Sequence, residues 1–238
     1  MGISVKNDVN RLSVAGTIIN TGTSENGRMY LIIATDGGRS KNSDKIKLIF
    51  FDKDMLRNVT IRDRVSIEGH IQPLGNSSDI SEWNSRSGYV QEYVVDSIEP
   101  QPRALARSFT IPKESIHNGK TAGDRNEVTV CGYFVSCKKF KKDKFGNSVV
   151  GITLNVKSVG ETPAGCREFQ NSLQFVCIGK QAETAMEVEE KRKQGDECRV
   201  AITGSIRTDT RGGKNGERTR HLQNIVVEDI FCPLVASS

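Results

Sequence analysis

Two segments of this chain each occur twice in the same order, and this internal repeat limits what the chain can fold into. Residues 10–16 (NRLSVAG) are matched by residues 126–132 (NEVTVCG), and residues 64–71 (RVSIEGHI) are matched by residues 199–206 (RVAITGSI). Repetition of this kind is typical of a chain built from copies of one structural unit. The interval between the matched segments is longer in the second copy, so its extra residues belong in loops or a helix. We therefore predict two divergent copies of one domain.

Each copy is predicted to consist of short β-strands, because apolar residues alternate with polar or small ones. The alternation covers residues 12–18, 46–50 and 65–71 in the first copy, and residues 128–134, 152–156, 173–177, 198–206 and 222–230 in the second. A glycine recurs at the same place inside matched strands. Glycine within a strand often marks a bulge or a tight bend, so we expect a curled sheet in each copy.

One helix is expected, and only in the second copy. Residues 181–194 (QAETAMEVEEKRKQ) contain neither Gly nor Pro, are rich in strong helix formers and end before Gly195. The first copy has only residues 53–58 at the corresponding place. Five strands with a helix after the third is the element order of the OB-fold, a small Greek-key barrel that binds oligonucleotides and oligosaccharides. We predict an all-β protein of two tandem five-stranded OB-fold barrels, with a helix between strands 3 and 4 of the second.

The expected domain boundaries follow from the repeat and from the composition between its copies. We predict a first OB-fold domain over residues 1–99, a second over residues 126–232 and a short tail over residues 233–238. The connecting residues 100–125 contain three Pro and two Gly, which is typical of a linker.

The net charge of +5 is carried by the second half of the chain. Residues 1–99 have 12 basic and 13 acidic side chains, whereas residues 100–238 have 22 and 16. The hydrophobic content of 36% is too high for a disordered chain. No stretch approaches the roughly 18 uncharged apolar residues that a membrane span needs, and no secretory signal is recognisable. We therefore expect no membrane association and a cytoplasmic location.

The chain lacks the motifs that catalysis or metal binding would require. All six cysteines lie in the second copy, none forms a Cys-x-x-Cys pair, and no His stands at ligand spacing. Cys177 and Cys198 fall on apolar strand positions, where reduced cysteine acts as a small core residue. His70, His117 and His221 have no nucleophile beside them in the sequence. We expect no catalytic residue, no metal and no cofactor, so the chain is predicted not to be an enzyme.

A basic segment with two aromatic residues lies between the first two strands of the second copy, in a loop that OB-folds use for ligands. Its members are Lys138, Lys139, Phe140, Lys141, Lys142, Lys144 and Phe145. Binding a single strand of nucleic acid needs cations for the phosphates and flat side chains on which bases stack. The alternative is a solvated basic hairpin. Two exposed Phe are unfavourable without a partner, so nucleic-acid binding is the preferred interpretation.

Two further segments are candidates for the same interface. The hairpin over residues 207–220 of the second copy holds the cations Arg207, Arg211, Lys214, Arg218 and Arg220. An ordinary surface turn has the same Gly- and Arg-rich composition, and both interpretations stay open. The corresponding hairpin of the first copy holds Trp83, Arg86 and Tyr89 in a polar run. Stacking of Trp83 on a base and packing of Trp83 on its own barrel are equally compatible with that context.

Four segments of the second copy follow one another in a recognisable order and spacing. They are residues 179–183 (GKQAE), 193–196 (KQGD), 200–207 (VAITGSIR) and 224–227 (NIVV). Together they resemble the bacterial and phage-type single-stranded DNA-binding protein family, over residues 126–230 and more weakly over 10–98. The resemblance implies an OB-fold in each copy and sequence-tolerant binding of single-stranded DNA in replication, recombination and repair. Members of the family commonly assemble four OB-folds, which implies a homodimer of this chain.

The sequence also departs from that family. Its usual aromatic residues before and at the end of the third strand, and after the fourth, are replaced in the second copy by Ser172, Ile178 and Arg211. The family's acidic tail, which recruits replication and repair proteins, has no counterpart in residues 232–238. A phage, plasmid or other mobile-element origin, in a bacterial or infected host cell, is compatible with that difference. The rival hypothesis is an OB-fold adaptor of a replication or conjugation complex, with weak or RNA-directed binding, and the first copy could mediate assembly while the second holds DNA.

Overall fold

The computed structural model describes residues 8–24, 27–35, 44–73, 91–101, 124–140, 142–162, 165–211 and 220–232. The first half contains β1 (Val9–Thr23), β2 (Met29–Thr35), β3 (Asp44–Phe50), a short 3-10 helix (Lys53–Leu56), β4 (Arg64–Pro73) and β5 (Gln91–Pro100). The second half contains β6 (Arg125–Lys139), β7 (Val149–Thr162), β8 (Gly165–Ile178), α1 (Lys180–Lys193), β9 (Arg199–Arg211) and β10 (Arg220–Phe231).

Each half closes into a five-stranded barrel. Barrel 1 runs β1-β2-β3-β5-β4 and returns to β1, and barrel 2 runs β6-β7-β8-β10-β9 and returns to β6. Most pairs are antiparallel, but β3 pairs with β5 and β8 pairs with β10 in parallel. This strand order is that of the OB-fold. The predicted all-β class and tandem OB-folds are therefore confirmed, as is the helix, because α1 connects the third and fourth strands of barrel 2.

The glycines of the repeat allow neighbouring strands to approach closely. A Cβ atom on Gly16 would lie 2.4 Å from the carbonyl oxygen of Ala34, and one on Gly132 would lie 2.4 Å from that of Asn155. In both barrels the strand register shifts just beyond the glycine, after Ile18 in β1 and after the corresponding Phe134 in β6. These bulges bend the first strand so that it pairs with two neighbours in turn, as the glycine pattern predicted.

Strand alternation fills the two barrel interiors with apolar side chains. Barrel 1 is packed around fully buried residues that include Leu12, Leu31, Ile33, Ile46, Leu48 and Ile67, and barrel 2 around Ile152, Leu154, Leu173 and Phe175. Each such side chain contributes roughly 1.5–3 kcal/mol to folding through its burial. Helix α1 closes one end of barrel 2 by burying Ala182, Ala185 and Val188. The 3-10 helix of barrel 1 buries no residue of its own.

The two barrels are joined by antiparallel pairing of their first strands. β1 pairs with β6 from Val9 opposite Cys131 to Ala15 opposite Arg125, with Leu12 opposite Val128 at the centre. Since Leu12 and Val128 are counterparts in the repeat, a pseudo-twofold axis passes between them. The pairing forms a continuous sheet through β4, β1, β6 and β9. We call this junction the seam.

The predicted domain division is only partly covered by the described residues. β5 ends at Pro100 and β6 begins at Arg125. Most of the predicted linker and all of the predicted tail, residues 233–238, lie outside the described part of the chain. The boundaries at residues 99 and 126 therefore remain predictions.

Candidate nucleic-acid interface

The loop between β6 and β7 is held in shape by Asp143. Its Oδ1 accepts hydrogen bonds from the backbone N–H groups of Phe145 and Asn147, both at 2.8 Å, and its Oδ2 accepts one from Asn147 Nδ2 at 2.9 Å. Gly146, at φ +85°, allows the chain to reverse direction between Phe145 and Asn147. The Asn147 side chain, with these backbone donors, holds the pKa of Asp143 below its ordinary value. The tip of the loop is therefore a defined turn.

This turn presents an aromatic ring and several cations to solvent. Phe145 is 77% exposed, and Lys144 Nζ lies 4.9 Å from its ring centroid. The described lysines of the segment, which are Lys138, Lys139, Lys142 and Lys144, are all exposed. Lys141 lies outside the described residues. An exposed aromatic ring on a defined turn, with Lys144 beside it and other exposed lysines in the same segment, has the chemistry of a site that stacks a base and holds its phosphates.

Phe140 has a different setting from Phe145. A Cβ atom on Gly151 of β7 would lie 2.8 Å from two atoms of the Phe140 ring, so the ring rests on the bare backbone of that strand. The Phe140 side chain is still 42% exposed. It therefore has one contact with the barrel and one surface that faces solvent, whereas Phe145 is much more exposed.

The hairpin between β9 and β10 is only partly described. Arg207 Nη1 lies 2.9 Å from Asp44 Oδ2 of barrel 1, and Arg207 Nη2 lies 3.9 Å from Glu228 Oε1. Thr208 Oγ1 donates to the carbonyl oxygen of Lys45 at 2.7 Å. Arg207 thus lies in a contact between the two barrels, at the base of the hairpin.

The remaining predicted members of the interface cannot be placed through their side chains. Arg211 and Arg220 face each other in the backbone pairing of β9 and β10, and their side chains lie outside the description. Lys214 and Arg218 lie entirely outside the described residues, and so do Trp83, Arg86 and Tyr89 of barrel 1. Their assignment to the interface remains a prediction.

Sequence reasoning missed three exposed or partly exposed groups on barrel 1. Lys47 Nζ of β3 lies 4.7 Å from the ring centroid of Tyr30 on β2, and Phe51, just after β3, is 62% exposed. The only sequence signal was the pair Phe50-Phe51. Phe50 is buried at the end of β3, and Phe51 follows it outside the strand.

At the two positions of β8 where the resembled family usually has aromatic residues, barrel 2 has Ser172 and Ile178. Ser172 Oγ donates to Asn155 Oδ1 at 2.7 Å, and Ile178 is only partly buried at the end of the strand. Among the described residues of barrel 2, the most exposed aromatic ring is that of Phe145 in the β6–β7 loop.

Cys131, Cys137, Cys177 and Cys198 form no disulfide. Cys177 and Cys198 are buried, as predicted for core positions. Burial raises the pKa of the Cys177 thiol to about 12, so it stays protonated at neutral pH. Among the described residues, no group of three or more His, Cys, Asp or Glu side chains is arranged to hold a metal ion. Within the same residues, no helix has the length and apolar character that a membrane crossing requires.

Comparison with known proteins locates the fold among solved structures. No protein-family model matches the chain, and no curated protein sequence is significantly similar to it. The wild-type single-stranded DNA-binding protein of Thermus aquaticus matches 98% of this chain and 96% of its own, at 12% identity and a TM-score of 0.60. A deletion mutant of that protein matches 96% of both chains, at 13% identity and a TM-score of 0.58. The chain therefore has the fold of a single-stranded DNA-binding protein over nearly its whole length, which confirms at the level of fold the resemblance seen in the sequence.

Proposed function

We propose that this protein binds single-stranded DNA with little sequence preference and without catalysis. It would coat and protect single-stranded intermediates of replication, recombination or repair. The observation that carries the proposal is the β6–β7 loop, where Asp143 fixes a turn that displays Phe145 among exposed lysines. The fold shared with the Thermus aquaticus protein supports the same conclusion.

The chemistry of the loop favours a single strand over a duplex. A base can lie on Phe145 only when it is not already stacked and paired, and each such contact contributes roughly 1–3 kcal/mol. Every base has a flat face, so stacking does not select a sequence. Each lysine that neutralises a phosphate of a single strand releases a counterion and adds about −0.7 to the slope of log affinity against log salt.

The test is a comparison of nucleic-acid types at several salt concentrations. Fluorescence anisotropy with a labelled oligothymidylate, its duplex form and the matching RNA would give the three affinities. We expect the single-stranded DNA to bind most tightly, with a salt slope of about −2 or steeper, because at least three lysines of the loop are exposed. Equal affinity for the duplex, or an affinity that does not change with salt, would remove the basis of the proposal.

A second candidate is an OB-fold adaptor or structural subunit of a replication or conjugation complex. The near-neutral charge of residues 1–99 favours it, since a barrel with 12 basic and 13 acidic side chains has no surplus for a polyanion. Absence of DNA binding in the anisotropy experiment, or a preference for RNA, would favour this candidate over the first.

The location and assembly of the protein are part of the same proposal. We place it in the cytoplasm of a bacterial or infected host cell, with single-stranded DNA and replication or recombination proteins as partners. A homodimer would bring together four OB-folds. Light scattering of the full chain at micromolar concentration, with and without oligonucleotide, measures the number of chains directly.

A further inference from the structure

We infer that Cys198 and Cys232 of barrel 2 form a modification site, at which a low-molecular-weight disulfide oxidises the two thiols to one intramolecular disulfide bond. The bond joins the residue before β9 to the residue after β10. The reaction partner of this site is a small thiol–disulfide couple, so the site is independent of the proposed DNA binding. It gives the protein a covalent response to oxidising conditions.

The strand register brings the two cysteines to the same end of barrel 2. The pairing of β9 with β10 ends where Ala201 lies opposite Phe231. Cys198 comes three residues before Ala201, and Cys232 comes one residue after Phe231, so both lie just beyond that end. Cys198 belongs to the hydrophobic core, and Cys232 packs against the core. The two side chains therefore meet at the closed end of the barrel.

The two thiols are hydrogen-bonded to each other. Burial raises the pKa of both, and the hydrogen bond from the Cys232 thiol to the Cys198 sulfur opposes that rise for Cys198 and adds to it for Cys232. Cys198 Sγ also lies 3.7 Å from the carbonyl oxygen of Asp196 and 3.8 Å from that of Val188 in α1. Two sulfurs in hydrogen-bonding contact need only a small movement to reach the roughly 2.05 Å length of a disulfide bond.

The two thiols differ in their access to solvent, and this difference sets the order of the reaction. Cys198 is 6% exposed, whereas Cys232 is partly exposed. The Cys232 sulfur attacks the small disulfide first, so that its S–S bond breaks, a mixed disulfide forms and the Cys232 proton leaves with the first small thiol. Cys198 then attacks the Cys232 sulfur, and the Cys198 proton leaves with the second small thiol. Two protein thiols are thus oxidised, and one small disulfide is reduced to two thiols.

The corresponding place in barrel 1 has no cysteine. The repeat and the strand pairing make Asp63 the counterpart of Cys198 and Pro100 the counterpart of Cys232. Asp63 accepts a hydrogen bond from the Thr60 N–H at 2.8 Å through its side chain. Both barrels close with the same strand order, so closure of the barrel does not require a cysteine at either position. The thiol pair is a property of barrel 2 alone.

Oxidation is expected to stabilise barrel 2. The disulfide would close a loop of about 35 residues, from 198 to 232, that contains β9, β10 and the hairpin between them. A cross-link over such a loop restricts the unfolded chain and holds the ends of the two strands together. We expect the melting temperature of the cross-linked chain to exceed that of the reduced chain by about 4–16 °C.

The first experiment incubates the full chain with glutathione disulfide and identifies the product. Mass spectrometry of non-reduced peptides should find Cys198 linked to Cys232, and the intact chain should be lighter by two hydrogen atoms. The link should be absent from Cys232→Ser. The matched control is Cys137→Ser, which removes another partly exposed thiol of barrel 2 and should leave the link unchanged. A different pairing, a mixed disulfide that does not resolve, or no reaction at equilibrium would overturn the inference.

The second experiment measures whether the fold itself favours the bond. Folded and urea-unfolded chains are equilibrated in mixtures of reduced and oxidised glutathione. We expect the folded chain to keep the bond in mixtures about 30- to 700-fold more reducing than the unfolded chain tolerates. Equal tolerance of the two states, or a melting temperature that does not rise on cross-linking, would refute a native site. None of these measurements uses DNA, so they are separate from the test of the proposed function.

Discussion

Leu12 of barrel 1 lies directly opposite Val128 of barrel 2, and each is the counterpart of the other in the internal repeat. In a symmetric dimer, a residue on the twofold axis pairs with the same residue of the other subunit. Here the same geometry occurs within one chain. The repeat therefore generates the interface as well as the two barrels, and the seam can be tested through its symmetric contacts.

Two largely buried ion pairs flank the seam and are related by the pseudo-twofold axis. Asp8 pairs with Arg199, and Asp124 pairs with Arg64. In each pair the aspartate precedes the first strand of one barrel, and the arginine begins the fourth strand of the other barrel. All four side chains are at most 14% exposed. We predict that Asp8→Asn lowers the free energy of unfolding by about 3 kcal/mol, because Arg199 would keep a largely buried charge without its carboxylate partner.

Urea unfolding followed by circular dichroism measures that change. The control removes both charges together, through Asp8→Leu with Arg199→Met, and should cost clearly less than Asp8→Asn alone. If Asp8→Asn had no effect on the unfolding free energy, the ion pair would not contribute to the seam.

A second symmetric contact ties the first strand of each barrel to its fourth. The Asn126 amide donates to the carbonyl oxygen of Ile206 at 2.8 Å and accepts from the Ile206 N–H at 2.9 Å. Asn10 makes the same two bonds with Ile71, at 2.7 and 3.0 Å. We predict that Asn126→Ala lowers the free energy of unfolding by about 1–3 kcal/mol, since it leaves two buried backbone groups without partners.

Asn10→Ala provides the comparison for that prediction. Its hydrogen bonds are only partly buried, so water can replace the lost amide and the loss of stability should be smaller than for Asn126→Ala. Thermal unfolding of the two variants side by side gives the order. A larger loss for Asn10→Ala would contradict the explanation by burial.

Much of the fold could be predicted because its signals are local. The alternation that buries Leu12 and Ile67, and the glycines that admit a neighbouring carbonyl, are visible in the sequence of a single strand. Helix α1 has strong propensity and a glycine stop at Gly195, and it begins one residue earlier than predicted. The matched Asn10 and Asn126 were visible in the repeat too, but their bonds to the fourth strand depend on its position in space.

The site was harder to predict because it depends on pairing between distant segments. Tyr30 and Lys47 lie on strands whose register places one beside the other, and no local pattern specifies that register. Arg207 was predicted as a cation of the DNA hairpin from its composition alone. Its ion pair with Asp44 could not be read from the sequence, because the two residues belong to different barrels.

The buried thiol of Cys177 predicts a dependence of stability on alkaline pH. Its pKa is about 12 in the folded chain against an ordinary 9.0, so the protonated thiol is favoured by folding. The stabilisation is complete below pH 9 and is lost as the pH rises toward 12, by up to about 1.4 kcal/mol for each pH unit. We predict that Cys177→Ala unfolds more easily at neutral pH but has a weaker loss of stability between pH 9 and 12.

Urea midpoints of wild type and Cys177→Ala at a series of alkaline pH values measure the difference. Other groups titrate in the same range in both proteins, so only the difference between the two curves belongs to Cys177. Parallel curves would show that this thiol does not titrate with unfolding.

The two phenylalanines of the β6–β7 loop should separate binding from stability. Phe145 is 77% exposed, so Phe145→Ala should leave the melting temperature unchanged and weaken binding of single-stranded DNA by about 5- to 150-fold, the range for one stacked base. Phe140→Ala should weaken binding too, but it also removes the ring that covers Gly151 and should lower the melting temperature slightly. Anisotropy and thermal unfolding of the same samples give both quantities.

Phe231→Ala is the matched control, because this ring is 54% exposed at the end of β10 and belongs to no predicted contact. It should change neither quantity. A drop in melting temperature for Phe145→Ala without a loss of affinity would mean that the ring supports the loop and does not stack on a base. Because Asp143, rather than the ring, holds the turn through its bonds to Phe145 and Asn147, the opposite result is expected.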